Sequence, residues 1–288
     1  MLTAPNGTWH NPSMTLAITA LVLFAALLHA SWNALLKGGE DRFWSMTIMG
    51  VATALACAVF LPFLPLPRAA SWPCILTSSL LHVGYNAFLI RAYRSGEFGA
   101  AYPVARGSSP LLVTVGAALV AHELPTVRAL AGILLVSGGI VSMAFRGRRL
   151  PESGNFYALG TGFFIAAYSV TDGIGGRLSG NAASYTLWMC LLWGFTAIPF
   201  YRAWRGDWHL WRGAYRTGTA ALGGVVSLLA YGIVIFAMTR APMGTVSALR
   251  ETSVLFAVLL GRIFFAEQLT ARRIVSVLVI AAGALCLE

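Results

Sequence analysis

Arg106-Gly107-Ser108-Ser109-Pro110-Leu111 opens a stretch, Ala105 to Ile140, that occurs twice in this chain. The second copy begins Arg250-Glu251-Thr252-Ser253-Val254-Leu255 and runs from Leu249 to Ala284, 144 positions later without a gap. Further identities pair Glu123 with Glu267, Thr126 with Thr270, Arg128 with Arg272, Leu134 with Leu278 and Gly139 with Gly283. With Arg106, Ser109 and Leu111 they make 8 identities over 36 positions, and most other pairs are apolar on apolar. The offset is half of the 288 residues, so the chain reads as two copies of one unit, residues 1–147 and 148–288.

The chain is 58% hydrophobic and only 10% charged, with a mean hydropathy of +0.74. So much apolar surface cannot be placed in water, and the fold class is an all-α integral membrane protein. The net charge of +10 does not indicate a nucleic-acid partner, because the basic residues sit in short loops between apolar segments. Anchoring in a lipid bilayer explains them. Cys57, Cys74, Cys190 and Cys286 are scattered, with neither a disulfide frame nor zinc-ligand spacing, so no metal is expected. The first apolar run lacks a basic flank and is too long for the core of a secretion signal, so it reads as a membrane span.

A span needs about 20 apolar residues. That window yields ten transmembrane segments, at about 14–36, 43–66, 72–94, 98–121, 127–146, 154–176, 181–203, 217–239, 243–265 and 270–287. The repeat divides them five and five. An odd number per half makes the second copy enter the membrane from the opposite side, so the halves are inverted repeats. The loop charges agree. Lys37, Arg42, Arg91 and Arg94 follow segments 1 and 3, whereas in the second half Arg202, Arg205, Arg212, Arg216, Arg272 and Arg273 follow segments 7 and 9. With Arg146, Arg148 and Arg149, these put 13 basic residues on one face, against 4 on the face that holds both termini. The positive-inside rule places the richer face in the cytoplasm and the termini outside.

Ionisable groups inside spans usually face a bundle interior or water. Here they are His29, His82, Arg106, Asp172, Arg250, Glu251 and Arg262. Arg106 and Arg250 occupy equivalent repeat positions, each about 12 Å into its segment at 1.5 Å per residue. A guanidinium suits a carboxylate or phosphate, so the pair reads equally as a substrate anchor or as a structural ion pair with Glu251 or Asp172. Pro103 and Pro110 bracket Arg106, and Ser108, Ser109, Thr252 and Ser253 add hydroxyls at its level, which reads as a broken helix beside a cavity or as a simple packing kink. His82, Tyr85 and Asn86 share a helix face, and with Tyr168 and Tyr231 they would wall a pocket for a flat ring with polar ends. Asp172, close to Gly173, Gly175 and Arg177, reads as a solvated helix-end carboxylate or as a proton carrier, as do His29 and Glu251 in the second role. Glu123 and Glu267 read as interfacial helix-end residues. Gly132, Gly138, Gly139 and Gly283 suit close packing of segments 5 and 10, including a contact between two copies of the chain. No nucleophile–base, zinc-protease or phosphate-loop motif is present, so no enzyme and no cofactor are expected.

Ser109-Pro110, Gly116, Glu123 and Gly138-Gly139, with Ser253, Gly261, Glu267 and Gly283 in the second copy, resemble the repeat of the drug/metabolite transporter superfamily, EamA type. Val254 departs from that pattern, where proline is usual, and predicts that segment 9 bends less than segment 4. The resemblance implies ten helices in two inverted halves and a central cavity lined by segments 1, 3, 4, 6, 8 and 9. It also implies traffic of small metabolites across a cell inner membrane, with both termini cytoplasmic, against the loop charges. Within the family the chain looks most similar to bacterial exporters of aromatic amino acids and paraquat. The expectation is therefore a multi-pass exporter of amino acids or similar metabolites working by alternating access. His82, Tyr85, Asn86, Arg106, Ser109, Tyr168, Tyr231, Arg250 and Ser253 are its candidate substrate contacts. A phosphorylated-metabolite exchanger, an organic-cation exporter and a membrane assembly subunit are the other readings.

Overall fold

The computed structural model describes residues 14–36, 41–94, 98–143, 152–206, 217–266 and 268–287. Among these residues the regular structure is helical: α1 Leu16–Leu36, α2 Arg42–Phe60, α3 Trp72–Arg94, α4 Phe98–Ala121, α5 Val127–Ser142, α6 Glu152–Ser179, α7 Ala182–Phe195, α8 Ala197–Arg205, α9 Thr217–Met238, α10 Met243–Arg250, α11 Ser253–Phe265 and α12 Ala271–Leu285. Each predicted segment is helical over most of its length. Seven stretches are long and apolar enough to cross a bilayer, counting α7 with α8 and α10 with α11 as one each. The shorter α5 and α12 have 16 and 15 residues, and the 28-residue α6 is diluted by Asn155, Ser169, Thr171 and Asp172. Large apolar side chains such as Leu119, Val127, Leu134, Phe163 and Leu278 point outward, the direction of lipid.

The breaks have local causes. Segment 7 is interrupted at Thr196, three residues before Pro199, whose missing N–H and ring disfavour a continuous helix. Segment 9 is interrupted at Glu251-Thr252, where Thr252 N bonds Leu249 O and Val254 N bonds Glu251 O in tight three-residue steps. The predicted break in α4 does not occur: the helix runs without interruption from Phe98 to Ala121 with Pro103 and Pro110 inside it. Pro110 cannot bond the carbonyl of Arg106, and the Ser109 hydroxyl donates to that oxygen instead, at 3.1 Å. The interruption therefore falls in the Val254 copy, whereas the proline-bearing copy is one continuous helix.

The helix ends that meet across the fold show how the helices alternate. At the face holding the termini, Arg68 N bonds Ser179 O, Ser184 Oγ bonds Pro65 O and Arg128 bonds Leu285 O. At the opposite, basic face, Arg205 pairs with Asp41 and Ser142 Oγ bonds Ser276 Oγ. Thr126 and Thr270 are N-caps of α5 and α12, each accepting from the N–H three residues on, which accounts for one repeated identity. α3 packs along α6 as α1 packs along α9. α4 lies on α6 as α10 and α11 lie on α1, while α5 pairs with α12 and α2 with α7.

The α5–α12 crossing uses the repeated glycines. A Cβ on Gly283 would sit 2.9 Å from Gly132 O and from Val136, and one on Gly139 would sit 2.7 Å from Ile280. A Cβ on Gly138 meets nothing within 4 Å. Gly283→Val is accordingly expected to lower stability by about 1–3 kcal/mol through overpacking. Gly138→Ala should be neutral or stabilise by up to about 1 kcal/mol through helix propensity. Thermal unfolding of the two variants in detergent checks this, and equal transitions would contradict the crossing.

Candidate functional site

A cavity of about 990 Å³ lies among the helices. At one end its wall contains Asn33, Phe43, Met143, Phe200, Thr270 and Arg273, all near helix ends on the basic face. No residue of the turns at the terminal face lines it. The cavity therefore opens toward the basic face and is closed toward the other.

At its polar side three charges converge. Arg106 Nε lies 2.7 Å from Glu251 Oε2, and Arg250 donates to Glu251 Oε1 at 3.2 Å. Arg106 also donates to Ser253 Oγ at 3.2 Å. Glu251 is 0% exposed and both arginines are buried, so the cluster is a desolvated group with one positive charge in excess. The two equivalent arginines meet on a single carboxylate. The break after α10 lets this happen, because it places Glu251 between α4 and the end of α10. Arg250 Nε has no hydrogen-bond partner, and Arg250 lines the cavity.

Another part of the wall is aromatic. His82 stacks on Tyr168 with ring centroids 4.0 Å apart, and Trp193 and Tyr231 stand 5.7 and 5.8 Å from His82. Tyr85 meets Tyr168 edge-on at 5.8 Å, and Arg106 lies 5.7 Å from the Tyr102 ring. Asn86 lines the same space, and its buried Oδ1 has no hydrogen-bond partner. His29 also faces the cavity, edge-on to Trp32 at 5.0 Å. The structure thus brings His29, His82, Tyr85, Asn86, Arg106, Tyr168, Tyr231, Arg250 and Ser253 to one cavity.

Ser109 is a correction. It is fully buried, does not line the cavity, and bonds its own helix. Asp172 is a second, because α6 continues to Ser179 and Asp172 is 0% exposed, held by hydroxyls of Tyr185 at 2.8 Å and of Tyr231. Glu123 is a third. It is 6% exposed, pairs with Arg177 and accepts from Met243 N at 2.8 Å. Arg177 in turn donates to Met238 O and Ala241 O, so four helices, α4, α6, α9 and α10, are fastened at the terminal face. Glu267 lies outside the described residues. Arg262 is exposed on α11, away from the cluster. Trp193, Tyr102 and Tyr185 were missed by sequence reasoning, since no polar neighbour at helical spacing marks them out.

The EamA-like transporter family matches residues 152–287. No curated protein matches the chain. Among solved structures, one crystal structure superimposes with a TM-score of 0.77 at 19% identity, covering 94% of this chain and 97% of the other. That likeness speaks for the fold alone. Residues 152–287, just under half of the chain, are thus similar to the EamA-like transporter family, in a chain with seven stretches long and apolar enough to cross a membrane.

Proposed function

We propose that the protein is a secondary transporter of the inner membrane that exports neutral amino acids, preferentially aromatic ones, by alternating access between residues 1–147 and 148–288. The observation that carries this reading is that Arg106 and Arg250, clustered on Glu251, line one cavity together with an aromatic wall. A desolvated cluster with one excess positive charge favours a monoanionic group on its open side. Arg250 offers a guanidinium to a substrate carboxylate. The His82, Tyr168 and Trp193 rings suit a flat apolar side chain, and Asn86 Oδ1 suits the hydrogens of an amino group.

Two inverted five-helix units are supported by the exchange of packing pairs and by reciprocal contacts. Gly139 approaches Ile280, and their repeat counterparts Gly283 and Val136 approach each other. By the positive-inside rule the basic face is cytoplasmic. The cavity as described would then load from the cytoplasm, as export requires. A second copy would dock on the outer faces of α5 and α12, where Leu134, Val275 and Leu278 are exposed.

A phosphorylated metabolite is served less well, because Arg106 is already engaged by Glu251 and Ser253. An organic dication would meet the excess positive charge. Counterflow into liposomes tests the reading. L-phenylalanine should exchange at least about tenfold faster than a sugar phosphate or methyl viologen, a gap of about 1.4 kcal/mol. Faster exchange of either of the other two solutes would replace the amino-acid assignment.

A further inference from the structure

We propose that Asp172 is the proton-binding site that couples export to the proton gradient, and that it senses the substrate through the Tyr231 hydroxyl. The inference rests on the transport reading above and adds the coupling ion and its site.

The carboxylate is fully buried on α6 and does not line the cavity. Tyr185, fully buried on α7, holds Oδ1, and Tyr231 of α9, whose ring is in the cavity wall, holds Oδ2. One oxygen is thus tied to packed protein and the other to a group that can reach the substrate. The surrounding titratable and charged groups are Cys74 on α3, Cys190 on α7, Tyr168 on α6 itself and Arg250 at the end of α10, and Ser78 of α3 adds a further hydroxyl beside the carboxylate. The hydrogen-bonding partners of the carboxylate are neutral hydroxyls. A carboxylate at membrane depth held that way is costly unless it serves a function.

The hydrogen-bond inventory gives the coupling. When Asp172 is ionised it only accepts, so Tyr231 must give it the phenolic hydrogen. The Tyr231 oxygen then turns its lone pairs to the cavity and accepts from a substrate ammonium. When Asp172 is protonated, its O–H bond donates to one tyrosine oxygen, and Tyr231 is free to aim its own hydrogen at the cavity. That orientation opposes an ammonium. Ammonium binding and proton binding therefore exclude each other, and linkage makes the effect reciprocal. On substrate arrival the Asp172 O–H bond breaks. The proton leaves through the Tyr231 hydroxyl to cavity water, and the emptied site takes a proton from the other side. One proton enters for each zwitterion exported.

Adding L-phenylalanine to purified protein in weak buffer, followed with a pH indicator, tests this. Wild type should release on the order of one proton per bound phenylalanine toward acid pH. Asp172→Asn should bind phenylalanine and release none, because the amide oxygen still accepts from Tyr231. Cys74→Ala, which removes a titratable neighbour outside the cavity wall, should still release. Equal release from Asp172→Asn, or phenylalanine binding to wild type with no release, overturns the proposal. If Asp172→Asn binds nothing, Tyr231→Phe decides, since it keeps the carboxylate and cuts its link to the cavity; undiminished release there also overturns it. If wild type binds no phenylalanine at all, it is the amino-acid reading that has failed.

Discussion

Glu251→Ala is expected to destabilise the protein by about 3–5 kcal/mol, the typical effect of stranding buried charges. For a chain of this size that is roughly a 10 °C drop in thermal transition. Among the described residues the carboxylate is the only acidic group paired with either guanidinium, and its loss leaves the buried Arg106 and Arg250 side by side without a counter-charge. Arg250→Ala should act differently. Glu251 keeps its 2.7 Å contact with Arg106, so the fold survives with a transition near that of the parent. What is lost is the guanidinium offered to the substrate carboxylate. A charge-assisted hydrogen bond of about 1.5–3 kcal/mol converts to a KM raised about 10- to 100-fold in counterflow. Melting curves and counterflow kinetics on the two variants separate the roles. Should Arg250→Ala melt as early as Glu251→Ala and transport normally once stabilised, the cluster is purely architectural.

The second large effect is expected at the terminal face. Arg177→Ala removes the ion pair with Glu123 and the bonds to Met238 O and Ala241 O at once. The closed end of the cavity depends on those contacts among four helices. Losing a buried pair shifts an open–closed balance by about 3–5 kcal/mol, or at least a hundredfold in population. A cysteine in place of Thr245, which sits in the small cleft beside Glu123 and Pro242, reports the change. A membrane-impermeant thiol reagent should modify it at least about a hundredfold faster in the Arg177→Ala background. Glu123→Arg with Arg177→Glu should slow it again. Labelling of intact cells but not of inverted vesicles would also place the terminal face outside, as the loop charges predict. Unchanged labelling rates would remove Glu123 and Arg177 from any gating role.

Much of this arrangement was legible in the residues. Hydropathy located the helices, since each must satisfy its own backbone in lipid. The repeat singled out Arg106, Arg250 and Glu123, and the i, i+3, i+4 spacing put His82, Tyr85 and Asn86 on one face. What local reasoning could not see was partnership across the fold. Asp172 looked solvated because glycines follow it. Yet Gly173 and Gly175 are where Met243 and Tyr185 pack closely, at distances a Cβ would shorten to 2.3 Å. Those glycines mark burial there, not a helix end. Glu123 looked interfacial for the same reason, its partner lying 54 positions away. The prolines misled because a neighbouring hydroxyl can stand in for a missing N–H. Ser109 does so in α4. Ser253, followed by Val254, has no such duty and remains available to Arg106.

Position 107 is glycine where its counterpart 251 is glutamate, and a side chain at 107 would collide with Val141 and the Ser137 carbonyl. A symmetric dimer of separate half-proteins could never hold this site. Two first halves would bring paired cations and no acid, and two second halves would bring an acid for each cation. Two halves that have diverged from each other can keep an odd charge where Arg106 and Arg250 meet, and the cavity beside it is correspondingly lopsided.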